Sequence, residues 1–268
     1  PWYFLAVTVV LVTAAAVRQQ AIASYPEVAE LYSKLVITAF GLYMLGFVGF
    51  VLSLRRGLYR YQFGQFTWMA MTLLFIIVQG SLHCHNMLRG MFWFLLPISC
   101  VVHNDVWAYA AGKLFGRTPL LRLSPKKTME GFFGAFVMTT VWAFWFSGFM
   151  CRFQSLVCPK TDLHSPLQCD IAPHFVHVPM AAPEWVQAVT MGRLTSMDVA
   201  PVQLHSLVFA AFASLLAPFG GFFASGLKRA FKLKDFGALI PGHGGMTDRM
   251  DCQIIMGLFT YVYVQFAL

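Results

Sequence analysis

Seven apolar stretches dominate the chain, at approximately residues 1–17, 31–54, 63–80, 91–111, 131–150, 206–227 and 251–268. Each reaches or approaches the roughly 20 residues that a helix needs to cross a bilayer. Hydrocarbon offers no water to backbone N–H and C=O groups, so a spanning stretch must satisfy them internally, as a helix does. Hydrophobic residues make up 58% of the chain and charged residues 11%, against about 25% charged in ordinary soluble domains. A soluble protein of this size could not bury so much apolar surface. The expected fold is all-α, a polytopic transmembrane helix bundle forming a single membrane-embedded domain over residues 1–268. The first stretch lacks the basic leader of a signal peptide. Apolar residues run to both ends, so polar termini or further helices are expected beyond them.

Seven spans make the connecting segments alternate between two sides. One side receives 55–62, 112–130 and 228–250, which together carry thirteen of the nineteen lysines and arginines. Excess positive charge marks cytoplasmic loops. The net charge of +8 then reflects those loops together with anionic lipid or nucleotide partners. Nucleic acid is not an expected partner, because no basic tail with interleaved aromatics is present. The opposite side receives the long segment 151–205, with Cys151, Cys158 and Cys169. In an oxidising lumen Cys158 and Cys169 could pair, although the odd third cysteine leaves the pairing open.

Residues 225–251 are the most unusual part of the chain. Between two apolar stretches they hold Lys228, Arg229, Lys232, Lys234 and Arg249, the carboxylates Asp235, Asp248 and Asp251, and His243 with Gly244 and Gly245. Ionisable groups at a membrane boundary are costly and mark functional sites. The cations suit phosphates. Asp235, Asp248 and Asp251 suit a hard cation such as Mg2+. Cations and metal-binding carboxylates together equip a site for phosphoryl or nucleotidyl transfer. Asp248 and Asp251 are three apart, so a helix starting near Thr247 would carry both on one face of its first turn. The same pair could instead complement the helix dipole. His243-Gly244-Gly245 permits a tight turn whose N–H groups could meet an anion. Hydrogen bonding to phosphate, or turn structure, fits His243 better than proton transfer.

This segment resembles the signature of the phosphatidate cytidylyltransferases (CDP-diacylglycerol synthases). The matching positions are Ser225, Lys228, Arg229, Lys234, Asp235, Gly237, Pro241, His243, Gly244, Gly245, Asp248, Arg249 and Asp251. A second block, Phe115-Gly-Arg-Thr-Pro-Leu followed by Ser124-Pro-Lys-Lys-Thr-Met-Glu-Gly131, also resembles the family, as does Asn104-Asp105. The likeness covers residues 91–268 well and the first 90 by hydropathy alone. It implies transfer of a cytidylyl group from CTP to phosphatidic acid, giving CDP-diacylglycerol and pyrophosphate. It also implies a magnesium cofactor and a homodimer in the endoplasmic reticulum membrane, with the site facing the cytoplasm. The cysteine-bearing segment 151–205 is more like the eukaryotic branch. On this reading Asp248, Asp251 and Asp235 bind the cation, and Lys228, Arg229, Lys234 and Arg249 bind phosphates. Lys126 and Lys127 contact the triphosphate or the lipid head group.

Several roles stay open at this level. Ser225 could donate to a phosphate or cap a helix. Asp105 could meet a metal, the ribose or the base, or pair with Lys113 or Arg117. Thr128 can cap the helix after it, leaving N–H groups toward an anion; Lys126 and Lys127 could equally anchor a span by the positive-inside rule. Glu130 could fix a lysine or join the metal shell. Gly131 and Gly134 would allow close helix approach. Ala213, Ala217, Gly221 and Ser225 recur every fourth position, a packing face, and Pro218 would kink that helix. Ala111-Gly112-Lys113 lacks P-loop spacing, and His83-Cys84-His85 has no second ligand pair. No internal repeat is present. Two other functions compete: a CTP-dependent lipid-alcohol kinase, which would transfer the γ-phosphoryl group, and an ion-coupled transporter. The transporter requires charges through the bilayer centre, whereas here they cluster on one side.

Overall fold

The computed structural model describes residues 2–21, 26–121, 124–160, 168–181, 184–189, 191, 195–230, 232, 235, 237, 245 and 247–268. The chain divides into two compact units, Pro1–Cys84 and His85–Leu268.

The first unit contains α1 (Trp2–Ala21), α2 (Pro26–Leu52) and α3 (Tyr59–Thr72), which continues through a π-helical turn (Leu73–Val78) into α4 (Gln79–Leu88), whose residues from His85 on belong to the second unit. Gly46 lets α1 and α2 approach closely, since a methyl there would lie 2.4 Å from the Tyr3 ring. Phe66 of α3 stacks on Phe50 of α2 at 4.4 Å and meets Phe4 of α1 edge-on.

The second unit is built on α5 (Phe92–Phe115), α6 (Met129–Met150), α9 (Pro201–Leu215), α10 (Pro218–Ala230) and α11 (Thr247–Phe266). Its core gathers Phe92, Leu96, Cys100, Met150, Val202, Phe209 and Met256. Phe212 of α9 stacks on Phe259 of α11 with centroids 3.9 Å apart. Two buried amides inside the unit are tied to backbone: Gln203 Nε2 donates to the Phe144 carbonyl, and Asn86 Nδ2 to that of Gly257. Gly131 and Gly134 do permit close packing of α5 on α6. A methyl on Gly131 would lie 2.6 Å from the Ala108 carbonyl oxygen, and one on Gly134 2.7 Å from Ala111 Cβ.

Three helical stretches, Glu27–Leu52, Met129–Met150 and Pro201–Ala230, are long and apolar enough to cross a membrane. The protein is an all-α integral membrane protein with two small β-hairpins added. Pro218 interrupts the expected helix over 206–227: α9 ends at Leu215 and α10 begins at Pro218. Proline suits that first helical position, where its missing N–H has no intrahelical partner to lose.

Both hairpins lie in segments that hydropathy reads as loops. β1 (Pro119–Leu121) pairs antiparallel with β2 (Ser124–Thr128) between α5 and α6. β3 (Val178–Ala181) pairs with β4 (Ser196–Val199) between α6 and α9, a connection that also holds the short helices α7 (Gln154–Val157) and α8 (Glu184–Val189). Here Cys158 and Cys169 form a disulfide, while Cys151 is free and buried. Phe175 plugs this segment onto Phe92 at the start of α5, with centroids 4.9 Å apart. The disulfide segment and β1–β2 therefore lie at opposite ends of α5 and α6. The 22 residues of α6 separate the two ends by about 33 Å, close to the roughly 30 Å of bilayer hydrocarbon.

Candidate active site

Four elements meet at the end of the second unit that carries β1–β2. From β2, Lys127 extends its ammonium to 4.7 Å from the centroid of Phe222 on α10, a cation–π contact. Lys127, Arg249 and Asp251 all act electrostatically on Asp105 of α5. Lys113 and Arg117, the alternative partners of Asp105, are not among the groups that do so. Lys228 in the last turn of α10 donates to Asp248 Oδ1 at 2.7 Å. The segments 124–130 and 225–251, a hundred residues apart in sequence, thus share one site with Asp105.

Helix α11 starts at Thr247, and Asp248 occupies its first turn with Asp251 following three residues on. Asp248 Oδ2 accepts the Gly245 N–H at 3.0 Å. Its carboxylate therefore ties the loop entering α11 and, through Lys228, the end of α10. Asp251 Oδ1 accepts the N–H of Cys252 at 2.7 Å. Its other oxygen points toward Gly221, where an added methyl would come within 3.4 Å. At Gly220 a methyl would lie 2.4 Å from the Asp251 carbonyl oxygen. Glycines at 220 and 221 thus let α10 pack directly on the turn of α11 that carries the carboxylates.

Ser225 is half-buried inside α10 and not at its end, because the helix runs on to Ala230; it caps nothing. Arg229 and Arg249 are exposed, as is Asp235 in the connection between α10 and α11. Lys126 contributes backbone to β2, while its side chain lies outside the described residues, as do Lys234 and His243. Gly237 and Gly245 touch backbone to backbone: a methyl on Gly245 would lie 3.0 Å from the Gly237 nitrogen. The two glycines of the signature therefore lie against each other.

Thr128 caps α6 as its position suggests, its hydroxyl accepting the Gly131 N–H at 3.2 Å. Glu130 does something other than pair with a lysine. Its carboxylate accepts the backbone N–H groups of Arg117 and Thr118 and the Thr118 hydroxyl, at 2.9–3.2 Å. Phe222 is a site residue that sequence reasoning missed. It lies in an apolar run, and only its spacing three residues before Ser225 hinted at the site-facing side of α10.

Beside β1–β2, an apolar groove of about 640 Å³ opens between α5 and α6, lined by residues including Trp107, Leu114, Met129, Phe133 and Met138. Of the charged residues described above, Glu130 alone lines it. Among the described residues no three Asp, Glu, His or Cys side chains come together as a metal cage. A magnesium ion does not need one: it usually takes one or two carboxylates, keeps several waters and completes its shell with substrate phosphates. Asp105 and Asp251, held near Lys127 and Arg249, fit an ion that arrives with a polyphosphate.

Comparison with known proteins agrees with this chemistry. The profile of the cytidylyltransferase family matches residues 2–267. The chain is 52% identical over 225 residues to phosphatidate cytidylyltransferase 1 of Arabidopsis thaliana, covering 84% of this chain and 53% of that protein. It is 43% identical over 272 residues to phosphatidate cytidylyltransferase of Saccharomyces cerevisiae, covering 98% of this chain and 59% of the relative. To phosphatidate cytidylyltransferase 1 of Homo sapiens it is 47% identical over 230 residues, covering 84% and 50%. The chain spans about half the length of the curated relatives it matches. With nearly its whole length matched by the profile, the chain belongs to the cytidylyltransferase family.

Proposed function

We propose that this chain carries the active site of a phosphatidate cytidylyltransferase, converting CTP and phosphatidic acid into CDP-diacylglycerol and pyrophosphate. The observation that carries this reading is the meeting of Lys127, Asp105, Arg249, Asp251 and the Lys228–Asp248 pair at one end of the second unit. Relatives that share up to 52% identity bear that enzyme's name.

A phosphate oxygen of the lipid attacks the α-phosphorus of CTP in line, forming a new P–O–P link. The bond from the α-phosphorus to the β-phosphate bridging oxygen breaks, and its electrons leave with pyrophosphate. The lipid phosphate is already anionic near pH 7, so a general base has little to do. The protein supplies position and charge. Lys127 and Arg249 neutralise the triphosphate. Arg229 and Lys234 are assigned to phosphates on the strength of the family resemblance, as are Ser225, Lys126 and His243. Lys228 holds Asp248, and through it the entry to α11, while remaining close enough to share its charge with a phosphate. Asp105 and Asp251, with Asp248 and Asp235 as further donors, would hold magnesium. When bound, the cation supplies Lewis-acid charge neutralisation at the phosphates. The apolar groove between α5 and α6 would leave room for hydrocarbon, so the acyl chains stay in the membrane.

The disulfide supports an orientation. Cys158–Cys169 lies at the end of α5 and α6 opposite the site, and structural disulfides persist in oxidising compartments. That end then faces the lumen of the endoplasmic reticulum and the site faces the cytosol, where CTP is. A homodimer follows from the family resemblance. The test is purified full-length protein supplied with CTP or ATP and a panel of phospholipids, with pyrophosphate release monitored. Release with CTP and phosphatidic acid alone is the expected result; release independent of phosphatidic acid would refute the reading.

A further inference from the structure

Glu130 stands in the first turn of α6, three residues after Lys127, and its carboxylate reaches back across the β1–β2 hairpin. Oε2 accepts the N–H of Arg117 at 3.1 Å and that of Thr118 at 3.2 Å. Oε1 accepts the Thr118 N–H at 3.2 Å and its hydroxyl at 2.9 Å. The Thr118 carbonyl in turn accepts the N–H of Met129 at 3.0 Å. Thr118 is therefore gripped on its donor and acceptor sides by two consecutive residues. It immediately precedes β1, whose Pro119 pairs with Thr128. The grip thus closes the base of the hairpin beside Lys127. A second anchor is Thr128 itself: it caps α6, and its side chain fills the space at Gly116, where a methyl would lie 2.8 Å from it.

Two such anchors matter because of what they hold. A lone two-stranded hairpin is marginally stable at best in water, and this one carries an irregularity in register between Pro119 and Leu121. Its placement against α10 and α11 depends on its base. Lysine has a long flexible stem, and its ammonium sits over Phe222 and acts on Asp105 only from a fixed starting point.

We infer that Glu130 is a positioning residue for nucleotide binding: by clasping the backbone at Arg117 and Thr118 it fixes the β1–β2 hairpin so that Lys127 is aimed at the Asp105–Arg249–Asp251 cluster, where the anionic oxygens of the triphosphate bind. This inference rests on the cytidylyl-transfer reading above. It differs from a helix-dipole role for Glu130, which would stabilise α6 but would not couple to Lys127.

The test is a double-mutant cycle in full-length protein in lipid nanodiscs, comparing Lys127→Ala, Glu130→Ala and the double variant. Readouts are kcat, KM for CTP, and the rise in melting temperature on adding CTP. Each single variant should lower kcat/KM by about tenfold or more, mainly through a raised KM for CTP. Because both act through the same lysine, the double variant should fall within about twofold of Lys127→Ala alone. Glu130→Gln, which keeps one acceptor oxygen, should recover part of the loss. If Glu130→Ala does not yield folded protein, Glu130→Gln and Thr118→Val take its place in the cycle. Losses that multiply, or a lowered melting temperature with unchanged KM, would overturn the inference and leave the proposed reaction standing. Full activity in Lys127→Ala would overturn both.

Discussion

Lys228 and Asp248 face each other at 2.7 Å across the junction of α10 and α11, with 18% and 6% of their side chains exposed. This pair links the two helices that flank the loop of the family signature. A mostly buried ion pair stabilises little over an apolar substitute, but losing one partner strands the other, at about 3–5 kcal/mol. Asp248 also accepts the Gly245 N–H, so the same carboxylate holds the chain at Gly245.

Replacing Asp248 with Asn keeps the shape and removes the charge. Turnover should fall by about 100-fold or more, while the protein, with a melting temperature lowered by the stranded Lys228, still extracts and purifies as a folded membrane protein. Steady-state kinetics with a thermal melt checks both halves. Near-normal turnover would remove Asp248 from the site.

Glycine contacts give a prediction about packing that is independent of chemistry. Gly131→Ala and Gly220→Ala would each push a methyl into a backbone carbonyl, at 2.6 and 2.4 Å. Overpacking of this kind costs about 1–3 kcal/mol. Gly64, inside α3, has nothing within 4 Å of the same position, so Gly64→Ala should be neutral or stabilising by about 0.5–1 kcal/mol. Melting temperatures of the three variants in one detergent make the comparison.

The Cys158–Cys169 bridge closes an eleven-residue separation at the end away from the site. Cys158→Ser should lower stability by about 2–4 kcal/mol, with KM for CTP unchanged. A shifted KM would mean that the two ends are coupled.

Magnesium removal addresses the donor set. Chelation should abolish product formation, and added Mg2+ should restore it; activity that persists in chelator would exclude a metal held by Asp105 and Asp251.

Much of this arrangement is legible in the sequence. Hydropathy located the helices, because a 20-residue apolar run has few other folds open to it. The Thr128 cap, the close approach at Gly131 and Gly134, the start of α11 near Thr247 and the disruption at Pro218 are local effects of residue type. The meeting of 124–130 with 225–251 was an expectation from charge asymmetry and resemblance. What stayed hidden was non-local or weakly patterned. β1–β2 is too short to show an alternating pattern, and its lysines resemble a membrane anchor. The grip of Glu130 on Thr118 joins a carboxylate to backbone donors twelve residues earlier, and no side-chain pattern records a backbone partner. Phe222 reads as one more apolar residue in a membrane helix until Lys127 is seen above it. Ser225 looked terminal because apolar character fades at Lys228, yet hydrogen bonding carries α10 on to Ala230.

The central claim is that the site joins the nucleotide's α-phosphate to a lipid phosphate. Parallel reactions with CTP labelled at the α- or the γ-phosphate, phosphatidic acid and the full-length protein, run beside Asp251→Asn, test it most directly. The account predicts α-label in the lipid product, γ-label only in pyrophosphate, and neither product with Asp251→Asn. Label from the γ-phosphate in the lipid, or undiminished product from Asp251→Asn, would contradict it.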